Sequence, residues 1–319
     1  MQRSSTSRGT EPRATSHESR AFRGAIAGLA LCIAVTGDLP AAEFVFAALG
    51  DTPYSREEEA RFPDLIAEMN REPLEFVVHV GDFKSADARC DDALYLQRRE
   101  WFEYSRHPFV FVPGDNEWTD CRRVAAGRYD PVERLDKLRE IFHRGEESLG
   151  QRRIRLERQS ALYPEHARWR HGGLLFVALN VPGNANNARA QPEEFRARNA
   201  AGIRWLEEAF RLALADGSGA VVVFLQANPW SSPSSHYFGY RELLSALARE
   251  TRDFRGEVLL VHGDTHRHRV DRPLRDPAGG APLPNFARVE VFGYPTMNWV
   301  RIRVGEKRGR VRFEVTPGN

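Results

Sequence analysis

Four apolar, β-branched or aromatic runs in this chain each end in Gly-Asp, and that repetition limits the fold more than any other feature. The runs are 44–49 before Gly50-Asp51, 76–80 before Gly81-Asp82, 109–113 before Gly114-Asp115, and 258–262 before Gly263-Asp264. Short apolar runs closed by glycine read as buried strands. In a sheet covered on both faces, ligands bind just beyond the carboxyl ends of the strands. If the four strands are parallel neighbours, four carboxylates meet on one rim. Two unit charges ~4 Å apart repel by about 4 kcal/mol at an effective dielectric near 20. Such a cluster must take up protons or hold a cation, and we read it as a metal site.

Between these runs, strand and helix signals alternate. Ser55 and Glu58 stand at capping-box spacing, and Pro63 is expected to open a helix to Asn70. Residues 92–104 have helical composition. Asp130-Pro131 with Glu133 starts another helix, with Leu135, Leu138 and Ile141 on one face. The charged stretch 145–160 reads as an exposed excursion. A strand at 173–180 leads into the loop Pro182-Gly-Asn184-Ala-Asn186-Asn187, whose amides could contact a ligand or simply form a turn. Pro192 opens a long helix, followed by a strand at 220–225 and a helix near 240–250. After a Pro/Gly-rich loop at 273–284, the end is strand-like at 288–292, 299–304 and 311–315. The expectation is one α/β domain over 43–319, a four-layer α-β-β-α sandwich of two stacked mixed sheets flanked by helices.

Charge narrows the partners. The formal net charge is +2, and residues 1–42 carry all of it, with five Arg against three acids. The neutral remainder offers no electrostatic footprint for DNA or RNA. Residues 1–42 read as a signal peptide. A polar, Arg- and Ser-rich start precedes the apolar stretch Ala25–Val35, and cleavage is expected near Ala42. Eleven apolar residues are too few for a bilayer span, which takes ~20. The protein is therefore expected to be exported, periplasmic or secreted, with no stable membrane span. Its body keeps two cysteines, Cys90 and Cys121. An even count in an exported chain suggests one disulfide, the alternative being two free thiols. No P-loop, Gly-x-Ser-x-Gly elbow, His-Glu-x-x-His helix or Cys-x-x-Cys pair occurs.

The order of these blocks resembles that of the calcineurin-like metallophosphoesterases, including the purple acid phosphatases, over about Phe44 to Leu274. In that family an Asp-x-His, a Gly-Asp, a Gly-Asn-His-Asp/Glu, a lone His and a Gly-His-x-His hold two metals. Here the blocks read Gly50-Asp51-Thr-Pro53-Tyr54, Gly81-Asp82, Gly114-Asp115-Asn116-Glu117, Gln226-Ala-Asn228-Pro-Trp230 and Gly263-Asp264-Thr265-His266. The resemblance implies that Asp51 and His266 bind a first metal and that Asp82 bridges to a second. It places Asp115, Asp264 and Gln226 or Asn228 at the second metal, and Tyr54 three residues past Asp51 as a further ligand or a wall.

Pro53 replaces a family histidine and offers no ligand. Asp115, Asp264 and Gln226 stand where the family has Asn, His and His. An oxygen-rich set of this kind favours one or two Mg, Mn or Ca ions over Zn, with Fe also admissible. Asn116 takes the place of the histidine that protonates the leaving oxygen, and an amide cannot act as a general acid at neutral pH. With Asp82 it still marks the expected catalytic position. His268 or His236 could stand in for the lost acid. Two readings follow: an exported phosphoesterase acting on a small phosphorylated substrate through a metal-activated water, or a non-catalytic protein that binds metal or a phosphorylated ligand on the same fold.

Overall fold

Two mixed sheets stack face to face in the computed structural model, which describes residues 43–231 and 238–318. The expected signal peptide and His236 lie outside the described residues. Twelve strands are formed by the described residues: β1 (Phe44–Leu49), β2 (Val77–His79), β3 (Phe109–Phe111), β4 (Glu157–Arg158), β5 (Ala167–His171), β6 (Leu174–Ala178), β7 (Ala220–Phe224), β8 (Glu257–His262), β9 (Arg269–Asp271), β10 (Phe286–Glu290), β11 (Val300–Lys307) and β12 (Arg310–Pro317). One sheet has the order β12-β11-β1-β2-β3, the other β4-β5-β6-β7-β8-β10-β9. Strands β1, β2 and β3 are mutually parallel. So are β6, β7, β8 and β10. The antiparallel strands sit at the margins of both sheets.

Strand alternation explains why the parallel runs are apolar throughout. In β1, Phe44, Phe46 and Ala48 enter the core between the sheets, while Val45, Ala47 and Leu49 face the helices on the other side. In β6, Leu174, Phe176 and Ala178 face inward, while Leu175 and Val177 face outward. Strands buried on both faces have no side to leave polar. The inter-sheet core is built on rings: Phe46 stacks on Phe76 at 5.1 Å and Trp169 on Phe176 at 5.4 Å. Each such ring contributes roughly 1.5–3 kcal/mol by leaving water.

Helices α1 (Arg56–Met69), α2 (Asp92–Glu103) and α3 (Pro131–Phe142) cover the first sheet; α4 (Pro192–Ala215) and α5 (Arg241–Asp253) cover the second. The expected four layers are present. Among the described residues no helix is long and apolar enough to cross a membrane.

Two local expectations change, and one strand had none. Helix α1 starts at Arg56, seven residues before Pro63, because Ser55 Oγ caps it by accepting the Glu58 N–H at 3.2 Å. Pro63 then lies inside the helix, where it cannot donate to the Glu59 carbonyl. Strands β4 and β5 fall in and after the charged stretch. In β5, Trp169 points into the core while Arg168 lies outward over the Trp205 ring at 3.8 Å. Strand β9 is an exposed edge with little apolar pattern to announce it.

Candidate metal centre

The parallel strands of both sheets end at one rim, and hydrogen bonds join their ends. The Asp264 N–H beyond β8 donates to Asp51 Oδ2 beyond β1 at 2.9 Å. Gln226 Nε2 beyond β7 donates to Asp82 Oδ2 beyond β2 at 3.2 Å. The glycines of the Gly-Asp pairs make this convergence possible. A Cβ on Gly114 would lie 2.1 Å from Asp82 Oδ1, and one on Gly263 would lie 2.2 Å from Asp51 Oδ2. Each of these two glycines clears the space that a neighbouring block's carboxylate fills.

The aspartates themselves bend the chain. Asp51, Asp82 and Asp264 have φ of 53°, 60° and 88°, and His266 has 57°. A non-glycine residue held at positive φ costs of order 1–3 kcal/mol, and such residues cluster at ligand sites. Here the bend follows directly on three strands and turns three carboxylates onto the rim.

Burial and like charge govern the electrostatics. Asp51, Asp82 and Asp115 are buried. Desolvation, then repulsion from the other carboxylates of the cluster, holds all three well above the usual carboxylate range. Burial also raises Asp264, to about 6. Asp82 is the most bonded of the four, with Oδ1 accepting the Asn116 N–H at 3.0 Å and Oδ2 accepting from Tyr54 Oη at 3.0 Å. Asp51 Oδ1 and Asp115 Oδ1 are buried with no hydrogen-bond donor. His266 Nδ1 is engaged by the Tyr294 carbonyl at 2.9 Å, and its Nε2 stands 3.8 Å from the unpartnered Asp51 Oδ1. That carbonyl fixes the tautomer with Nε2 bare, as a metal-ligating imidazole requires.

These features decide whether a cation suits the site. As placed, no group of three or more His, Cys, Asp or Glu among the described residues forms a finished ligand set. The donor chemistry nevertheless fits. Four raised carboxylates, two buried oxygens lacking donors and one bare imidazole nitrogen are what a divalent ion would satisfy.

The other expected residues divide. Tyr54 stands on Asp82 and also accepts from Asn116 Nδ2 at 2.8 Å; the same amide donates to the Lys84 carbonyl at 3.0 Å. Gln226 turns its nitrogen to the cluster, because its Oε1 is the acceptor for the Gly183 N–H at 2.6 Å. Asn228 reaches Asp264 Oδ2 with its backbone N–H at 2.8 Å, while its side chain donates to Glu290 Oε2 and accepts from Arg288. His268 stacks on Phe292 and bonds the Glu290 carbonyl rather than meeting the aspartates.

Several contributing residues escaped the reading of the sequence, while Asn184 was among the loop amides it named. Lys84, fully buried, lies among Glu117, Asp82, Asp120 and Asp115, and burial lowers it to about 8. Glu117 accepts from the backbone N–H groups of Gly114 and Asp82. Buried Glu290 holds Thr265, Asn228 and Arg269 beneath the last block. In the Asn-rich loop, residues 184–187 all have positive φ, a left-handed turn. Arg198 clamps it through the Asn186 carbonyl and side chain, and Asn184 Nδ2 donates to Asp115 at 2.9 Å and Asp120 at 2.7 Å. Tyr294 follows β10, and its N–H donates to the Asp51 carbonyl at 3.0 Å. Only Asn184 and Tyr294 had a visible signal, an Asn-rich loop and a strand-closing glycine.

Cys90 and Cys121 form a disulfide with Cα atoms 5.7 Å apart. Both sulfurs lie under the Asn116 carbonyl, at 3.7 and 3.8 Å. The bond therefore ties the loops leaving β2 and β3 directly beneath the cluster. Replacing both cysteines by serine is expected to cost roughly 3–4 kcal/mol and lower Tm by roughly 10 °C in calorimetry. An unchanged Tm would mean that packing alone holds the loop.

Known proteins bear on this arrangement in two ways. A family model described as calcineurin-like phosphoesterase matches residues 33–268. The fold is similar to that of a dimetal phosphatase from Danio rerio, at 14% identity and a TM-score of 0.50, over 88% of this chain and 100% of that one. It is also similar to the purple acid phosphatase PPD1 of yellow lupin (Lupinus luteus), at 10% identity and a TM-score of 0.48, over 87% of this chain and 52% of that one. No curated protein matches the sequence significantly.

Proposed function

The chain belongs to the calcineurin-like phosphoesterase family, and from that premise we propose that it is an exported, metal-dependent hydrolase of small phosphoesters. The observation that carries this reading is the rim itself, where Asp51, Asp82, Asp115 and Asp264 converge with two buried oxygens left unpartnered. Asp51 and His266 would hold one cation, Asp82 would be shared, and Asp115 and Asp264 would serve a second. Divalent ions there would neutralise phosphate charge and make water a better nucleophile.

The chain's own groups do the rest. Tyr54, raised above its ordinary range by burial and by Asp82, stays protonated and donates to Asp82. Asn116 has no transferable proton, and its side-chain N–H groups already go to Tyr54 Oη and the Lys84 carbonyl. Esters with good leaving groups need an acid least, so these are the favoured substrates. Loss of acid catalysis costs roughly 10²–10⁴-fold on the others. Export agrees with the Cys90–Cys121 disulfide, which needs an oxidising compartment.

Oxygen donors outnumber nitrogen in the set, so Mg, Mn or Ca should occupy it in preference to Zn. Elemental analysis of protein purified without added metal checks this, and stoichiometric zinc would contradict it. The activity is tested by turnover of an aryl phosphate or phosphodiester with Mn or Mg, beside an Asp82→Ala control. Equal rates in the two proteins, or none with any metal, would favour the second reading, a non-catalytic binder of metal or phosphorylated ligands. Asn116 at the place of the expected acid is what keeps that reading in contention.

A further inference from the structure

Tyr294 is a large aromatic side chain at this rim with no part in the metal chemistry. It is held from several directions. Its N–H donates to the Asp51 carbonyl at 3.0 Å, and its carbonyl engages His266 Nδ1 at 2.9 Å. Its ring stacks on that of Tyr54, with centroids 6.1 Å apart and planes 18° apart. Tyr54 in turn meets the His266 ring edge-on at 5.1 Å and places its hydroxyl on Asp82. The backbone of Tyr294 is thus locked to two expected ligand residues, while the residue remains 43% exposed. A ring with one face on Tyr54 and this much exposure is a wall already ordered before any ligand arrives.

We infer that Tyr294, backed by Tyr54, is a stacking platform for the leaving group, and that the preferred substrates are phosphate esters of phenols or similar aromatic alcohols. The inference rests on the phosphoesterase reading above and narrows its substrate class. Two independent features agree on it. Flat rings stack on exposed aromatic faces. Phenolate-type leaving groups are also the ones that depart without a proton donor, and Asn116 provides none. In the reaction water adds to phosphorus, the P–O bond to the aromatic ring breaks, and the electron pair leaves on the phenolic oxygen. The water's protons pass to solvent.

The test uses the full chain with Mn²⁺. The ratio of kcat/KM for phenyl phosphate to that for an alkyl phosphate such as glycerol phosphate is expected to fall roughly three- to tenfold in Tyr294→Ala and to be retained in Tyr294→Phe. A ratio that Tyr294→Ala leaves unchanged would overturn the platform. Binding separates this from the fate of the catalytic reading. Calorimetric titration with phenylphosphonate and methylphosphonate, which are not hydrolysed, should show a phenyl preference in the wild type that Tyr294→Ala loses. That preference without turnover of any ester would keep the platform and remove the hydrolase. Turnover with equal affinity for the two phosphonates would keep the hydrolase and remove the platform. Mn²⁺-dependent gain in Tm, measured on each variant, shows whether the metal centre is intact.

Discussion

Asp82→Ala is expected to lower kcat/KM on an activated phosphoester by at least about 10³-fold, and to remove most of the thermal stabilisation that added Mn²⁺ or Mg²⁺ gives. Three features single out Asp82 among the four aspartates. It follows the central strand of the three parallel strands in the first sheet, between the blocks that follow β1 and β3. Its two oxygens are oriented by Asn116, Tyr54 and Gln226 at 3.0, 3.0 and 3.2 Å. Those donors come from the blocks after β3, β1 and β7, so its removal disturbs both sheets' contributions together. Charge stabilisation by metal is worth several kcal/mol in the transition state, and about 1.4 kcal/mol is tenfold in rate. Steady-state kinetics on wild type and variant, with circular dichroism to confirm the fold, checks the result. Retained activity in a folded Asp82→Ala protein would remove the metal cluster from the mechanism.

The second large effect concerns stability, and its sign follows from the raised carboxyls. Asp51, Asp82 and Asp115 are pushed well above 3.8, and Asp264 to about 6. In the metal-free protein the folded state therefore keeps protons that the unfolded chain has released. Their stabilising contribution is complete below about pH 4 and is lost as pH rises through the folded values, since stability falls wherever the native state binds more protons. Buried His143 and His262, lowered to about 3, act in the opposite sense. Their contribution is present above the ordinary histidine range and is lost on acidification. A difference measurement cancels them. The gain in Tm from a divalent cation should be larger at pH 7.5 than at pH 5, because ligands must be deprotonated to bind. At a hundredfold excess over Kd the gain is about 2.7 kcal/mol, or roughly 5–10 °C. Scanning calorimetry at the two pH values with and without Mn²⁺ checks it, and an equal gain at both would mean that the ion binds elsewhere.

Much of this was legible because strand physics writes itself plainly. Runs buried on both faces must be apolar, and β1 and β8 are so throughout their inner residues. The Gly-Asp pairs were legible for a reason the sequence does not state: Gly114 and Gly263 leave room for Asp82 and Asp51 from other blocks. Strand β5 was hidden because its outward residues are arginines that pair with acids, so only the small Ala167 and Trp169 mark an inner face. The direction of an amide cannot be read from its neighbours in sequence either. Gln226 faces the cluster with nitrogen because a backbone N–H forty-three residues upstream claims its oxygen. Lys84 and Glu290 look like surface charges in sequence, and only tertiary packing encloses them.

The position of β1 has a consequence for how the protein is made. This strand lies between β2 and β11, and its antiparallel partner begins only at Val300. His266 and Tyr294 on the rim are late residues as well. The edge of β1 that faces β11 stays unpaired until residues from Val300 onward are in place. Any nascent or truncated chain ending before β11 lacks one whole edge of β1. Ion uptake by the rim should therefore depend on β11, and a truncation that removes this strand should behave as a loss of Asp51.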